Sequence, residues 1–344
     1  MQNPFSLTFG KNPLNAVSRP VEIMEITESF SSEIVNQQIY LLTGIRGSGK
    51  TVLMTEVCKI FREKKDWIVV ELNPELDFLE SLMSKLVSNS TCTEIFKSAK
   101  INLSFWGLGL EISGVPPITD KETAIIKMLE GLRKHGKRVL ISIDEVTDSP
   151  QMRVFASSFQ IFVRQELPIF LIMTGLYENI EELQNEKNLT FLYRAPKIEM
   201  KPLNIRSVAE KYRSIFEIDD KTAVKMAKLT KGYPFAFQVL GYLTWNNKGK
   251  FEEILDEYEH YLEDYVYEKV WSELSPKDKT VLYGIATSSD SQIKTIRQNL
   301  KMDTNSFNPY RKRLIKKGIL NGEERGFLTF VLPAFEKFVI FNFE

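Results

Sequence analysis

The sequence predicts an α/β protein with a mostly parallel sheet covered by helices on both faces, followed by an all-helical segment and a small C-terminal module. Three observations carry this. Gly44-Ile45-Arg46-Gly47-Ser48-Gly49-Lys50-Thr51 reads G-x-x-x-x-G-K-T, the phosphate-binding loop signature. Short apolar runs recur at 39–43, 67–72, 138–143 and 168–174, as strands buried on both faces do. Between them, apolar residues fall at helical intervals.

Residues 1–38 read as a lead-in punctuated by Pro4, Pro13 and Pro20, with a helix over Val21 to Phe30. Ile39 to Thr43 is the strand that feeds the glycine-rich loop. Leu53, Val57, Ile60 and Phe61 then mark the helix that leaves it. Trp67 to Leu72 is a second strand, and Leu76, Leu79, Leu82, Met83, Leu86 and Val87 line one face of the next helix. Ile101, Leu103 and Phe105 alternate with polar residues before Gly107 and Gly109, which predicts an inserted β-hairpin. Thr119 and Glu122 form a capping-box pattern for a helix reaching about His135. Arg138 to Ile143 is a strand ending in Asp144-Glu145. Met152 to Glu166 is helical, Pro168 to Thr174 is another strand, and Lys197 to Met200 is a short last one.

After Pro202-Leu203 the pattern turns helical, near 205–216, 219–230, 234–246 and 250–272, with Gly232-Tyr233-Pro234 separating two helices. Ser275-Pro276 opens the last region as an N-cap followed by proline at the first helical position. Helical patterns at 276–287, 292–300 and 306–317 precede two short strand-like runs, Ile319-Leu320 and Gly326 to Val331, around a polar tip. That is the winged-helix order. The expected domains are 1–201, 202–274 and 275–344.

The motifs point to nucleotide chemistry. Glycines let backbone N–H groups wrap a phosphate, and the helix N-terminus adds a positive dipole end. Lys50 would pair with the β- and γ-phosphates and Thr51 would offer its hydroxyl to Mg²⁺, with Val52 next on the helix. Asp144 could hold Mg²⁺ through water, Glu145 could polarise the attacking water, and Thr174, at a neighbouring strand tip, could sense the γ-phosphate.

Composition bounds the rest. The 344 residues carry 45 basic and 45 acidic side chains, which argues against a nucleic-acid coat protein but allows a local basic patch. Cys58 and Cys92 suggest neither a disulfide framework nor a zinc site, and His135 and His260 are too isolated for a metal cluster. Apolar runs are too short to span a membrane and the N-terminus lacks a secretory pattern, so a cytoplasmic location is expected. Residues 275–317 hold ten basic against three acidic residues, the footprint expected for duplex DNA, with Arg311 and Arg313 foremost. Winged helices also dock proteins, so DNA and protein partners both remain open.

With these residues in place, the chain resembles the AAA+ ATPases of the origin-recognition and STAND-like group, and within it the bacterial and archaeal ATP-binding proteins with a C-terminal winged helix. The resemblance rests on Gly44 to Thr51, Ile143-Asp144-Glu145, Thr174-Gly175-Leu176 and Thr190 to Ala195. It continues through Gly232-Tyr233-Pro234-Phe235 with Gln238, Tyr310 to Ile315, and Gly326 ahead of Leu332-Pro333. It implies an αβα core of strand order 5-1-4-3-2, a helical lid, and ATP or ADP with Mg²⁺ between them. It implies Lys50 and Thr51 on phosphate and Mg²⁺, Asp144 on Mg²⁺, Glu145 as base and Thr174 as first sensor. Arg194 matches an arginine finger acting on a neighbouring subunit, which implies a homo-oligomer. Arg19 falls where the family has a Gly-Arg-Glu-like motif near the adenine, although Ser18 replaces the glycine. Pro234 falls in the lid motif that faces nucleotide. Replication-type members carry a sensing arginine in that motif; this chain has none there, which implies a slow switch. The expected function is therefore a slow ATPase that repositions lid and winged helix. The alternatives are a DNA-binding regulator or initiator with negligible turnover, and a protein-docking adaptor.

Overall fold

The computed structural model describes residues 2–8, 13–186 and 189–343. The chain divides into two compact units. One comprises residues 19–43 and 53–199, the other residues 1–18, 44–52 and 200–344.

The first unit is a three-layer α/β fold. Its elements are α1 (Pro20–Ser31), β1 (Ile39–Thr43), α2 (Lys50–Arg62), β2 (Trp67–Leu72), α3 (Phe78–Ser88), α4 (Ser90–Ser98), α5 (Lys121–Lys134), β3 (Arg138–Ile143), α6 (Pro150–Arg164), β4 (Ile169–Gly175), α7 (Tyr177–Asn185), α8 (Thr190–Tyr193) and β5 (Lys197–Glu199). The sheet is parallel throughout and ordered β2-β3-β4-β1-β5, which read from the β5 edge is 5-1-4-3-2. All residues of β1 and β4 are buried, as apolar strands covered on both faces must be. Alternate side chains divide between the faces. Ile39, Leu41, Ile141, Leu171 and Met173 join the core formed with α3, α5 and α6. On the other face Tyr40, Trp67 and Phe170 meet Phe30 of α1 and Phe61 of α2, with ring centroids 4.2–6.0 Å apart. Truncating a ring so enclosed costs about 3–5 kcal/mol.

Two local expectations are corrected here. Residues 101–113 form no strands: a 3₁₀ turn at Ser104–Trp106 replaces the inserted hairpin. Ile101, Leu103 and Leu110 are buried, whereas Phe105 is exposed. The alternation that resembled a strand thus reflects anchoring points of a loop. Asn102 Nδ2 donates to the carbonyls of Ile112 and Val115, and Trp106 Nε1 to that of Ile118, so side chains take the place of a ladder. The following helix is capped by Asp120, whose carboxylate accepts from Thr123 N–H, and not by Thr119.

In the second unit, α9 (Ile205–Phe216), α10 (Asp220–Leu229) and α11 (Pro234–Asn246) follow the sequence reading closely. The expected helix over 250–272 is divided into a 3₁₀ turn at Phe251–Ile254, α12 (Leu255–Leu262), a π-turn at Glu263–Tyr267 and α13 (Glu268–Ser272). Then come α14 (Pro276–Ala286), α15 (Ile293–Asn299), α16 (Thr304–Lys316), the antiparallel pair β6 (Leu320–Asn321) and β7 (Thr329–Phe330), and α17 (Phe335–Asn342). Residues 203–339 contribute to a single hydrophobic core. Tyr267 links its parts: its hydroxyl donates to the Pro333 carbonyl, and its ring lies 4.9 Å from Phe335. The lead-in segment divides at Ser18. Phe5 packs on Phe216, Phe237 and Gly241, and Gln238 bonds Ser6 and Asn15.

Among the described residues, no helix is long and apolar enough to cross a membrane, and no group of three or more His, Cys, Asp or Glu is placed to hold a metal.

Candidate nucleotide-binding site

The glycine-rich loop begins at the residue after β1 and ends in the first turn of α2. Gly47 and Gly49 have φ of 69° and 88°, values that an L side chain rarely adopts. Space forbids a side chain as well. A Cβ on Gly44 would lie 2.7 Å from Ser48 Oγ, and one on Gly47 would lie 2.3 Å from the Tyr233 hydroxyl oxygen. Lys50 is almost fully buried, and its ammonium donates to the carbonyls of Gly44 (2.8 Å) and Ile45 (3.0 Å). This is a tight backbone cradle at a helix N-terminus with a cation folded over it. Both the donor set and the side-chain-free curve fit a polyphosphate. Thr51 and Val52 occupy the same first turn, half-buried.

What holds this loop from outside comes from residues far along the chain. The Tyr233 hydroxyl donates to the Arg46 carbonyl at 2.6 Å, and Phe235 N–H donates to the Gly47 carbonyl at 3.2 Å. Burial pushes the Tyr233 hydroxyl well above its ordinary pKa, so it stays protonated and remains a donor. The Arg46 guanidinium pairs with Glu273 at 3.0 Å. Pro234 lies against the loop, its ring carbons 3.7–3.8 Å from where a Gly49 Cβ would stand. The only signal in the sequence is Gly232-Tyr233-Pro234, which reads as a break between helices until its partners are seen.

In the other unit, Asp144 and Glu145 follow β3, and Thr174 lies near the end of neighbouring β4. Thr174 is fully buried. Its hydroxyl donates to Asp144 Oδ1 and accepts from Glu145 N–H at 3.1 Å. Glu145 N–H also reaches Asp144 Oδ1 at 3.1 Å, and Val146 N–H donates to the Thr174 carbonyl at 2.8 Å. Glu145 is exposed, with φ of 52°, a conformation that costs a non-glycine residue about 1 kcal/mol or more. Thr174 therefore fixes the Asp144 carboxylate and the Glu145 backbone. Thr174→Val should lower stability by about 1–2 kcal/mol, since it leaves buried polar groups without a partner, while Thr174→Ser should retain most of it. Urea unfolding of the two variants checks this; equal midpoints would show that the hydroxyl holds nothing.

Arg194 caps α8 and is exposed, and among the described residues its side chain pairs with no acid. Arg19 is the N-terminal flank of α1. Its side chain is 9% exposed and bonds Glu22 at 3.4 Å, and burial lowers its pKa.

The C-terminal cations are distributed unevenly. Arg313, an expected DNA contact, bonds the buried Asp278 through Nε (3.2 Å) and an Nη (2.7 Å), and its guanidinium lies over Tyr310. A buried carboxylate needs that partner, so Arg313 serves the fold. Arg311 is half-buried. By contrast Lys294, Arg297 and Lys301, with Gln298 and Met302, line a surface concavity of about 470 Å³ on and after α15.

A family profile described as a domain of unknown function (DUF8462) matches residues 264–339. No curated protein matches the chain. Among solved structures, the chain is similar to the Walker-type ATPase PABY2304 of Pyrococcus abyssi, with 18% identity and a TM-score of 0.66 over 97% of this chain and 99% of that one. It is also similar to the ORC2 protein of Aeropyrum pernix in its ADPNP-ADP complexes, with 14% identity and a TM-score of 0.59 over 97% and 94% of the two chains. At these identities the likeness is one of fold: the chain has the α/β fold of this Walker-type ATPase and of this ORC2 protein.

Proposed function

We propose that the protein binds Mg²⁺-ATP and hydrolyses it slowly as a conformational switch. The observation that carries this is the Gly44–Thr51 cradle, with side-chain-free glycines and the Lys50 ammonium folded onto its carbonyls. The ATPase fold and the nucleotides named with the ORC2 structure support it. In this reading Lys50 and the loop amides bind the β- and γ-phosphates, and Thr51 and Asp144 hold Mg²⁺, which neutralises phosphate charge. Glu145 accepts the proton of the attacking water, Thr174 senses the γ-phosphate, and Arg194 acts on a neighbouring copy's γ-phosphate. Arg19 lies near the adenine, and Pro234 faces the nucleotide from the lid. The motif Gly232-Tyr233-Pro234 offers no arginine, which favours slow turnover. The lid helices and the C-terminal module share one hydrophobic core, which favours a switch that carries them together. The test is a titration of the full chain with Mg²⁺-ATP alongside phosphate release. Binding with slow release is expected, and absence of binding would overturn the reading.

A second reading concerns duplex DNA. Helices α14 to α16 with β6 and β7 read as a winged helix, and the concavity lined by Lys294, Arg297 and Lys301 offers three cations to phosphates. Asp303 lies near Arg297 but caps α16. Three neutralised phosphates give a log–log salt slope of about −2.7, or roughly 40-fold weaker binding between about 50 and 200 mM salt. Lys294→Glu with Lys301→Glu should remove most duplex affinity from the full chain. Unchanged anisotropy titrations would leave protein docking as the role of this module.

A further inference from the structure

We propose that Tyr233 is a positioning residue for phosphate binding, its hydroxyl fixing the Arg46–Gly47 peptide so that the Gly47 N–H faces into the phosphate cradle. The proposal rests on the nucleotide reading above and adds the device by which the lid acts on the loop.

In a trans peptide the carbonyl and the following N–H point in opposite directions. The Arg46 carbonyl is drawn outward by the Tyr233 hydroxyl at 2.6 Å. The N–H of Gly47 is thereby turned to the other side, into the curve of the loop. The next carbonyl, that of Gly47, is drawn outward too, by Phe235 N–H at 3.2 Å. Within the loop Ser48 N–H donates to the Ile45 carbonyl at 3.2 Å, but that turn bond is compatible with either orientation of its central peptide. Gly47 tolerates both signs of φ, so flipping the peptide plane meets little steric resistance there. A restraint from outside the loop supplies what the glycine lacks.

Tyr233 is well placed to be that restraint. It is 2% exposed, and its backbone is tied at both ends: its N–H donates to the Thr230 carbonyl at 2.8 Å, and its carbonyl accepts from Phe237 N–H at 3.0 Å. The preceding Gly232 has φ of 74°, and a Cβ there would stand 2.3 Å from the Leu203 carbonyl oxygen. The turn is therefore fixed by its own backbone, and the phenol projects from it at one setting. Other buried tyrosines of this core, Tyr212 and Tyr258, satisfy their hydroxyls on the helix carbonyls of Phe237 and Leu229. Tyr233 alone among these three bonds the glycine-rich loop. Lid and nucleotide thus communicate through a loop peptide, where a lid arginine would do so through charge.

The experiment compares Tyr233→Phe with Tyr212→Phe in the full chain. Each deletes one buried hydroxyl bond from the same core, so both should lower the melting temperature without ligand by a similar amount. Calorimetric titration would use ADP, inorganic tripolyphosphate and adenosine. Tyr233→Phe should weaken ADP and tripolyphosphate about tenfold or more, because a hydrogen bond to a charged group is weakened, and leave adenosine unaffected. Tyr212→Phe should bind all three as wild type does. ADP affinity within about twofold of wild type in Tyr233→Phe would overturn the proposal, as would equal losses in the two variants. A wild-type chain that binds neither ADP nor tripolyphosphate would remove the nucleotide reading first, and this one with it.

Discussion

Lys50→Ala should abolish measurable nucleotide binding. The ammonium folds over the loop and reaches the Gly44 and Ile45 carbonyls from inside the first turn of α2. With nucleotide present the same group would turn to phosphate oxygens, where each charge-assisted bond contributes roughly 1.5–3 kcal/mol. Two such bonds lost correspond to a fall of at least about 100-fold in affinity. The stability cost is the loss of its two bonds to those carbonyls, about 1–3 kcal/mol. Calorimetry with Mg²⁺-ATP, next to urea unfolding, separates the two effects. Undiminished affinity would sink the loop assignment. The same variant serves a mixing test. Lys50→Ala retains Arg194, and Arg194→Ala retains the loop. If Arg194 acts across an interface, the mixture should release phosphate faster than either alone. Co-assembled variants that stay inactive would rule out the finger.

Glu145→Gln should hold ATP and stop turning it over. Glutamine has nearly the same shape and can adopt the φ of 52° that Glu145 has, so the backbone bonds to Asp144 and Thr174 are retained. What disappears is the carboxylate that would accept a proton from water. General-base contributions are typically about 10²–10⁴-fold in rate, and that is the expected fall. Nucleotide affinity should stay within about threefold, since a general base would face water and not phosphate. Single-turnover phosphate release and a binding titration measure the two quantities. Equal release rates in wild type and variant would mean that Glu145 is not the base.

By itself the sequence determined the features that are local or periodic. The glycine-rich loop is legible because only glycine survives at φ of 69° and 88° in so tight a curve. The strands are legible because burial on both faces excludes polar residues from β1, β3 and β4 almost entirely. The helices of the second unit are legible from spacing and from caps such as Ser275-Pro276. Asp144-Glu145 is legible because acids at the end of an apolar strand stand out.

The tertiary structure decided what depends on partners remote in sequence. Tyr233 and Arg46 are 187 residues apart, and no spacing rule links them. A charge count reads Arg313 as a free surface cation; it is exposed, but it pairs with the buried Asp278, 35 residues earlier, since a desolvated carboxylate is costly without a cation. Alternating apolar residues at 101–105 suggested strands, but no partner strand lies there and side-chain bonds from Asn102 and Trp106 satisfy the backbone instead. Phe5 belongs with α11 because Gly241 leaves room for its ring, a vacancy invisible along the chain. Local conformational preference is written residue by residue, whereas satisfaction of buried polar groups and filling of space are settled only when distant segments meet.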